Sequence, residues 1–192
     1  MAQQYEVDSL AAAQAAMRSQ YLNGATGVLV SGLVWLTTAF VPYRYSAHQA
    51  VWALLVGGAL IHPLSTGVNR LLGAKAAGPE PNGLRALALE GTFFMLMTIP
   101  LAYGLSLLRP AWFFQGMLLI IGGRYLTFHT LYGRKLFWLL GSALGVSAYG
   151  LFAAQSPPLE TTLTGAAIEL VFGSVLFYAF ASQKKGDVAA LR

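Results

Sequence analysis

Apolar residues in this chain fall in long unbroken blocks, not at the three-and-four or every-second spacing of soluble helices and strands. Six such blocks, each closed by polar, Gly or Pro residues, run over about 25–41, 50–68, 86–108, 111–131, 136–154 and 161–181. Each reaches the roughly 17 residues that a helix needs to cross a hydrocarbon core. The pattern predicts an all-α polytopic integral membrane protein, a bundle of six transmembrane helices. Ahead of the first block, Asp8 or Ser9 can cap a helix that carries Leu10, Met17 and Tyr21 on one face. That segment reads either as an amphipathic helix on the inner membrane surface or as an extension of the first span. The expected division is therefore a cytoplasmic amphipathic segment over 1–24, a six-helix membrane domain over 25–182, and a basic cytoplasmic tail over 183–192.

Composition sharpens this reading. Of 192 residues, 56% are apolar and only 10% are charged, against about a quarter charged in soluble domains. The six blocks use nearly the whole length and leave no room for a separate catalytic domain. The chain has no Cys, which excludes disulfides, thiolate metal sites and cysteine nucleophiles. Its formal charge is +5, but the basic residues sit at the ends of the blocks, with no basic stripe of the kind that grips nucleic acid. Arg18, Arg70, Lys75, Arg85, Arg134, Lys135, Lys184, Lys185 and Arg192 fall on the side of the N-terminus, and only Arg44 and Arg109 on the other. By the positive-inside rule both termini are expected in the cytoplasm. Tyr43, Tyr45, Trp52 and Trp112 would then form the outer aromatic belt, and Tyr21, Tyr132, Trp138 and Tyr178 the inner one. Glu6 and Asp8 precede the first basic residue, Arg18, which is not the order of a signal peptide. The Gly- and Pro-rich link from Gly73 to Arg85 reads as a flexible connector.

Ionisable groups inside apolar spans are costly and ask for an explanation. Here they are His62, Glu90, Arg124 and Glu169. At about 1.5 Å per residue, Glu90 lies about 6 Å from the cytoplasmic end of its span, His62 about 9 Å, Arg124 about 10 Å and Glu169 about 18 Å. Glu90 and Arg124 therefore sit at compatible depth on consecutive antiparallel helices. A salt bridge is the natural way to lower their desolvation cost; it would either lock two helices together or open for an anionic ligand or a proton. His62 shares a face with Gly58, Thr66 and Asn69, at spacings of four, four and three. Pro63 interrupts the same helix and frees the Ala59 carbonyl, and Ser65 or Thr66 can help to re-satisfy the local backbone. Such a face either lines a site or holds helices together. Gly165, Glu169 and Gly173 form a small-residue face around the deepest acid, whose carboxyl either stays protonated and hydrogen-bonds or exchanges a proton. Gly141 and Gly145 make a GxxxG pair, weak evidence for close packing or dimerisation.

HExxH, GxSxG, the Walker A loop and GxGxxG are all absent, so the matching enzyme classes lack support. His62, His129 and Glu90 offer at most a weak metal site, and no metal or cofactor is expected. The run His62-Pro63-Leu64-Ser65 with Leu71-Leu72-Gly73, and the run from Gly122-Gly123-Arg124-Tyr125 to Leu131-Tyr132, resemble a family of small bacterial multi-pass membrane proteins known only as a domain of unknown function. The resemblance covers roughly Ala25 to Phe152; it implies a bacterial cytoplasmic membrane and carries no activity. Two readings stay open. One is a small-solute or proton binding or transport module using His62, Glu90, Arg124 and Glu169, supported by Thr66 and Asn69. The other is a structural or regulatory subunit, alone or with a homo-oligomeric or other membrane partner, whose polar residues only specify helix packing. An enzyme acting on lipid at the inner leaflet is a distant third. Transport predicts a water-accessible polar cavity, scaffolding a dry and fully paired interior, and lipid chemistry a pocket opening sideways.

Overall fold

The computed structural model describes residues 2–44, 46–74 and 82–190, with side chains over 9–41, 46–74 and 82–183. Most of the expected flexible connector, and the end of the basic tail, lie outside the described residues. The described chain forms seven α-helices: α1 (Ala2–Gln20), α2 (Ala25–Arg44), α3 (Ala47–Leu71), α4 (Leu84–Leu108), α5 (Pro110–Tyr132), α6 (Leu136–Ala153) and α7 (Pro158–Ala190). Five of them, α2, α3, α4, α6 and α7, are long and apolar enough to cross a membrane. The remaining long helix, α5, carries Gln115, Arg124 and His129 within its length.

The helix boundaries have local causes. Ser46 and Gln49 build a reciprocal capping box at the start of α3: the Gln49 amide donates to Ser46 Oγ at 3.2 Å, and the Ser46 amide to Gln49 Oε1 at 2.9 Å. Pro110 opens α5, where its missing N–H costs nothing, and Gly133 closes it at φ 64°. Between α1 and α2 the chain turns through Leu22, Asn23 and Gly24, all with positive φ. Because of that turn α1 is a separate helix and not an extension of the first span. It lies across the end of α5, where Gln14 donates to the Thr130 carbonyl and Arg18 to the Tyr132 carbonyl, each at 2.8 Å. These are orphan acceptors of a helix C-terminus. Met17 is buried beneath it, while Leu10 on the same expected stripe stays exposed.

The long helices stand in two rows of three, α3–α2–α7 and α4–α5–α6. Within the rows the closest packing is between α2 and α7 and between α5 and α6. Small residues cause it: a β-carbon at Gly32 would stand 3.0 Å from the Leu170 amide nitrogen, and one at Gly141 would stand 2.6 Å from the Gly122 carbonyl. The GxxxG pair is thus turned inward against α5. The rows meet where α7 touches α5 and α6 and, less closely, where α3 touches α5, while α3 and α4 barely touch each other. Tyr103 and Trp52, with ring centroids 5.9 Å apart, bridge α3 and α4 near the end opposite α1. The core between the rows is aromatic: Phe113 and Phe114 meet edge to face, and Tyr125, Phe128, Tyr132 and Phe137 form a separate cluster of edge, tilted and stacked contacts between α5 and α6.

Polar side chains tie each end of the bundle. At the α1 end, Asn82 donates to the Ala13 carbonyl at 3.0 Å, and Arg134 to Gln183 at 2.7 Å. Partial burial, and then the neighbouring charge of Arg18, hold the Arg134 guanidinium below its ordinary pKa. At the far end Arg109 pairs with Gln155, and Gln115 donates to the carbonyls of Leu151 and Ser156, each at 3.2 Å.

Candidate functional site

Where α3 and α4 part, α2, α3, α4 and α5 enclose a cavity of about 260 Å³. Each wall follows from helical periodicity. Leu54, Gly58, Ile61, Ser65 and Asn69 of α3 recur at steps of three and four and form one arc of that helix. From α2 come Thr26, Ser31, Val34 and Trp35; from α4, Met95, Leu96 and Ile99; and from α5, Met117, Ile121, Arg124, Tyr125 and Phe128.

Among the described residues Arg124 is the one cation in this wall. It lies eight residues before the end of α5, about 12 Å inside it. Its guanidinium donates to Thr92 Oγ1 at 2.9 Å and meets Met95 Sδ at 3.5 Å, both on α4, and it lies 5.4 Å from the ring centroid of Phe128. All three neighbours are neutral, and no ion pair to Arg124 occurs among the described residues. The salt bridge with Glu90 does not form: Glu90 is exposed on α4 and is not part of the cavity lining. Two residues of helix separate Glu90 from Thr92, which turns it about 200° away from the face that Arg124 meets.

His62 lines the cavity from α3 at an exposed position. Beside it the Ser65 hydroxyl donates to the His62 carbonyl at 3.0 Å, and not to the Ala59 carbonyl that Pro63 leaves without its helical donor. Asn69 is buried at the α1 end of the cavity, where its Oδ1 accepts from Thr26 Oγ1 at 2.6 Å. Thr66, expected on the same face, is not in the lining. Glu169 is completely buried on α7 and stands beside Ser31 and Tyr125, neither of which closes a hydrogen bond of regular geometry with its carboxyl oxygens. Since Ser31 and Tyr125 do line the cavity, Glu169 sits one layer behind its wall. A β-carbon at Gly165 would meet Trp35 and Leu118, and one at Gly173 would meet Leu29, as the expected small-residue face requires.

The fold thus brings His62, Arg124 and Asn69 to one cavity, sets Glu169 behind it, and leaves Glu90 and Thr66 outside. Sequence reasoning overlooked Thr26, Ser31, Trp35, Thr92 and Tyr125. Isolated hydroxyls and aromatics in apolar spans give little warning, although Tyr125 directly follows Arg124. No curated protein and no solved structure matches the chain. A family model does match, over residues 10–179, and the chain accordingly belongs to the family of unknown function DUF7010.

Proposed function

We propose that this is a six-span protein of the bacterial inner membrane, both termini cytoplasmic, that binds a small solute in the cavity between α2, α3, α4 and α5 as a binding or transport module. The distribution of basic residues supports the orientation. The position of α5 supports the sixth crossing: it packs against α3, α4, α6 and α7, so its polar residues need not meet lipid.

The observation that carries the function is Arg124. A guanidinium at bilayer depth is costly without a counter-charge, and this one stands in a cavity wall with only neutral partners. An anionic group of the solute supplies what the protein lacks. Glu169, behind Ser31 and Tyr125, is placed to take up or release a proton as the site fills or empties. Packing glue would instead be fully paired and dry.

Thermal unfolding of the detergent-purified protein against a library of anions, at several pH values, tests this. A solute present at 100 times its Kd should stabilise the protein by about 2.7 kcal/mol, and Arg124→Gln should abolish that gain. If no solute stabilises the parent, and Arg124→Gln and Glu169→Gln only lower its melting temperature, the polar residues specify packing and the structural-subunit reading replaces this one.

A further inference from the structure

Resting on the reading of this cavity as a binding site, we infer that its ligand is a single-chain anionic amphiphile that enters from the bilayer between α3 and α4 and sets its acidic head against Arg124. Four observations converge on this. First, the exposed residues of the lining are Gly58, Ala59 and His62 on α3 and Leu96 on α4, so the cavity opens between those two helices. The flanks of that opening are apolar and exposed, with Leu60 and Leu64 on one side and Phe93 and Met97 on the other. Such a mouth faces acyl chains, and an apolar molecule reaches it without crossing water.

Second, the lining is graded along the helix axes. Towards the α1 end it carries Thr26, Ser31, His62, Asn69, Arg124 and the tyrosines; towards the far end it carries Leu54, Leu55, Ile99, Met117 and Trp35. A molecule with one polar end and one apolar end matches that gradient, whereas a uniformly polar solute would leave the apolar half unused. Third, the only charge in the lining among the described residues is positive and lacks a counter-charge, which makes the head an acid. Arg presents a planar fork of donors suited to a carboxylate or phosphate, and such bonds are strengthened away from water. Fourth, about 260 Å³ falls below the roughly 300–1,000 Å³ typical of sites for drug-sized ligands. That is room for one chain and not for both chains of a phospholipid.

The test uses the full chain in nanodiscs of saturated phosphatidylcholine. Trp35 lines the cavity, so a variant with Trp52→Phe, Trp112→Phe and Trp138→Phe reports on it alone. Brominated dodecanoate, whose bromine quenches tryptophan, should quench Trp35 saturably, while the equally long brominated alcohol should not. Arg124→Gln should weaken the acid by roughly tenfold or more, as expected for a lost charge-assisted hydrogen bond, and Arg124→Lys should recover most of it. Gly58→Leu carries no change of charge and places its side chain where a β-carbon meets nothing within 4 Å; it should weaken the acid by blocking the chain. Circular dichroism melts establish that each variant is folded. Equal quenching by acid and alcohol, indifferent to Arg124→Gln, would mean chains merely partition into the gap and would overturn the inference. Arg124-dependent thermal stabilisation by acetate or inorganic phosphate, without quenching by the brominated acid, would overturn it too while leaving the solute-binding reading intact. Absence of both signals removes the inference and that reading together.

Discussion

A charged side chain in a membrane protein is placed by two coordinates, depth and rotation, and only the first is easy to read from a sequence. Glu90 and Arg124 agree in depth and differ in rotation, so Arg124 is met by Thr92 and not by Glu90, the expected partner. Thr92→Val should therefore destabilise the protein by about 1.5–3 kcal/mol, the range for a hydrogen bond to a charged group. Glu90→Gln, at an exposed position, should change stability by no more than about 0.5 kcal/mol. Thermal unfolding of both variants in one detergent checks the contrast, and a large loss at Glu90 would restore the pairing. His62, Arg124 and Glu169 were legible because they are expensive where they stand. The hydroxyls that complete the site were not, since a Ser or Thr in a membrane helix can satisfy itself on its own backbone, as Thr98 does on the carbonyls of Phe94 and Met95.

At the scale of the element, packing between helices depends on where a β-carbon is missing. In α7 a β-carbon at Gly173 would come within 2.8 Å of Leu29 Cγ and 3.1 Å of the Leu29 amide nitrogen. Gly173→Val must push α2 and α7 apart, at a cost of about 1–3 kcal/mol. Gly150 in α6 has nothing within 4 Å, and Gly150→Ala should be neutral or slightly stabilising, since Ala outranks Gly in a helix by about 1 kcal/mol. Melting temperatures of the pair decide whether the α2–α7 seam is as tight as described. The helices themselves were legible to within about three residues at every end but the last, where α7 runs on past the expected block to Ala190, because a long apolar run admits little besides a helix in a membrane protein. What the blocks could not convey was the turn before α2. Asn23-Gly24 is a breaker pair, yet in a chain of long apolar runs a single turn is the only mark that α1 leaves the axis of the first span and crosses the end of α5 instead.

For the whole molecule the absence of Cys makes topology measurable one site at a time. Leu108→Cys and Lys135→Cys flank α5 at exposed positions. If α5 crosses the membrane, a membrane-impermeant maleimide applied to intact cells should label the first and reach the second only after permeabilisation. Labelling of both from the same side would reduce the bundle to five crossings and put the termini on opposite faces. The pairing of rows has a further mechanical meaning. Since α3 and α4 barely touch each other, the cavity lies along that edge of the described bundle, whereas the α2–α7 and α5–α6 seams are the closest packed. Squeezing, whether by lateral pressure in the bilayer or by hydrostatic pressure, should be taken up first along that edge, because a cavity closes more readily than a close-packed seam.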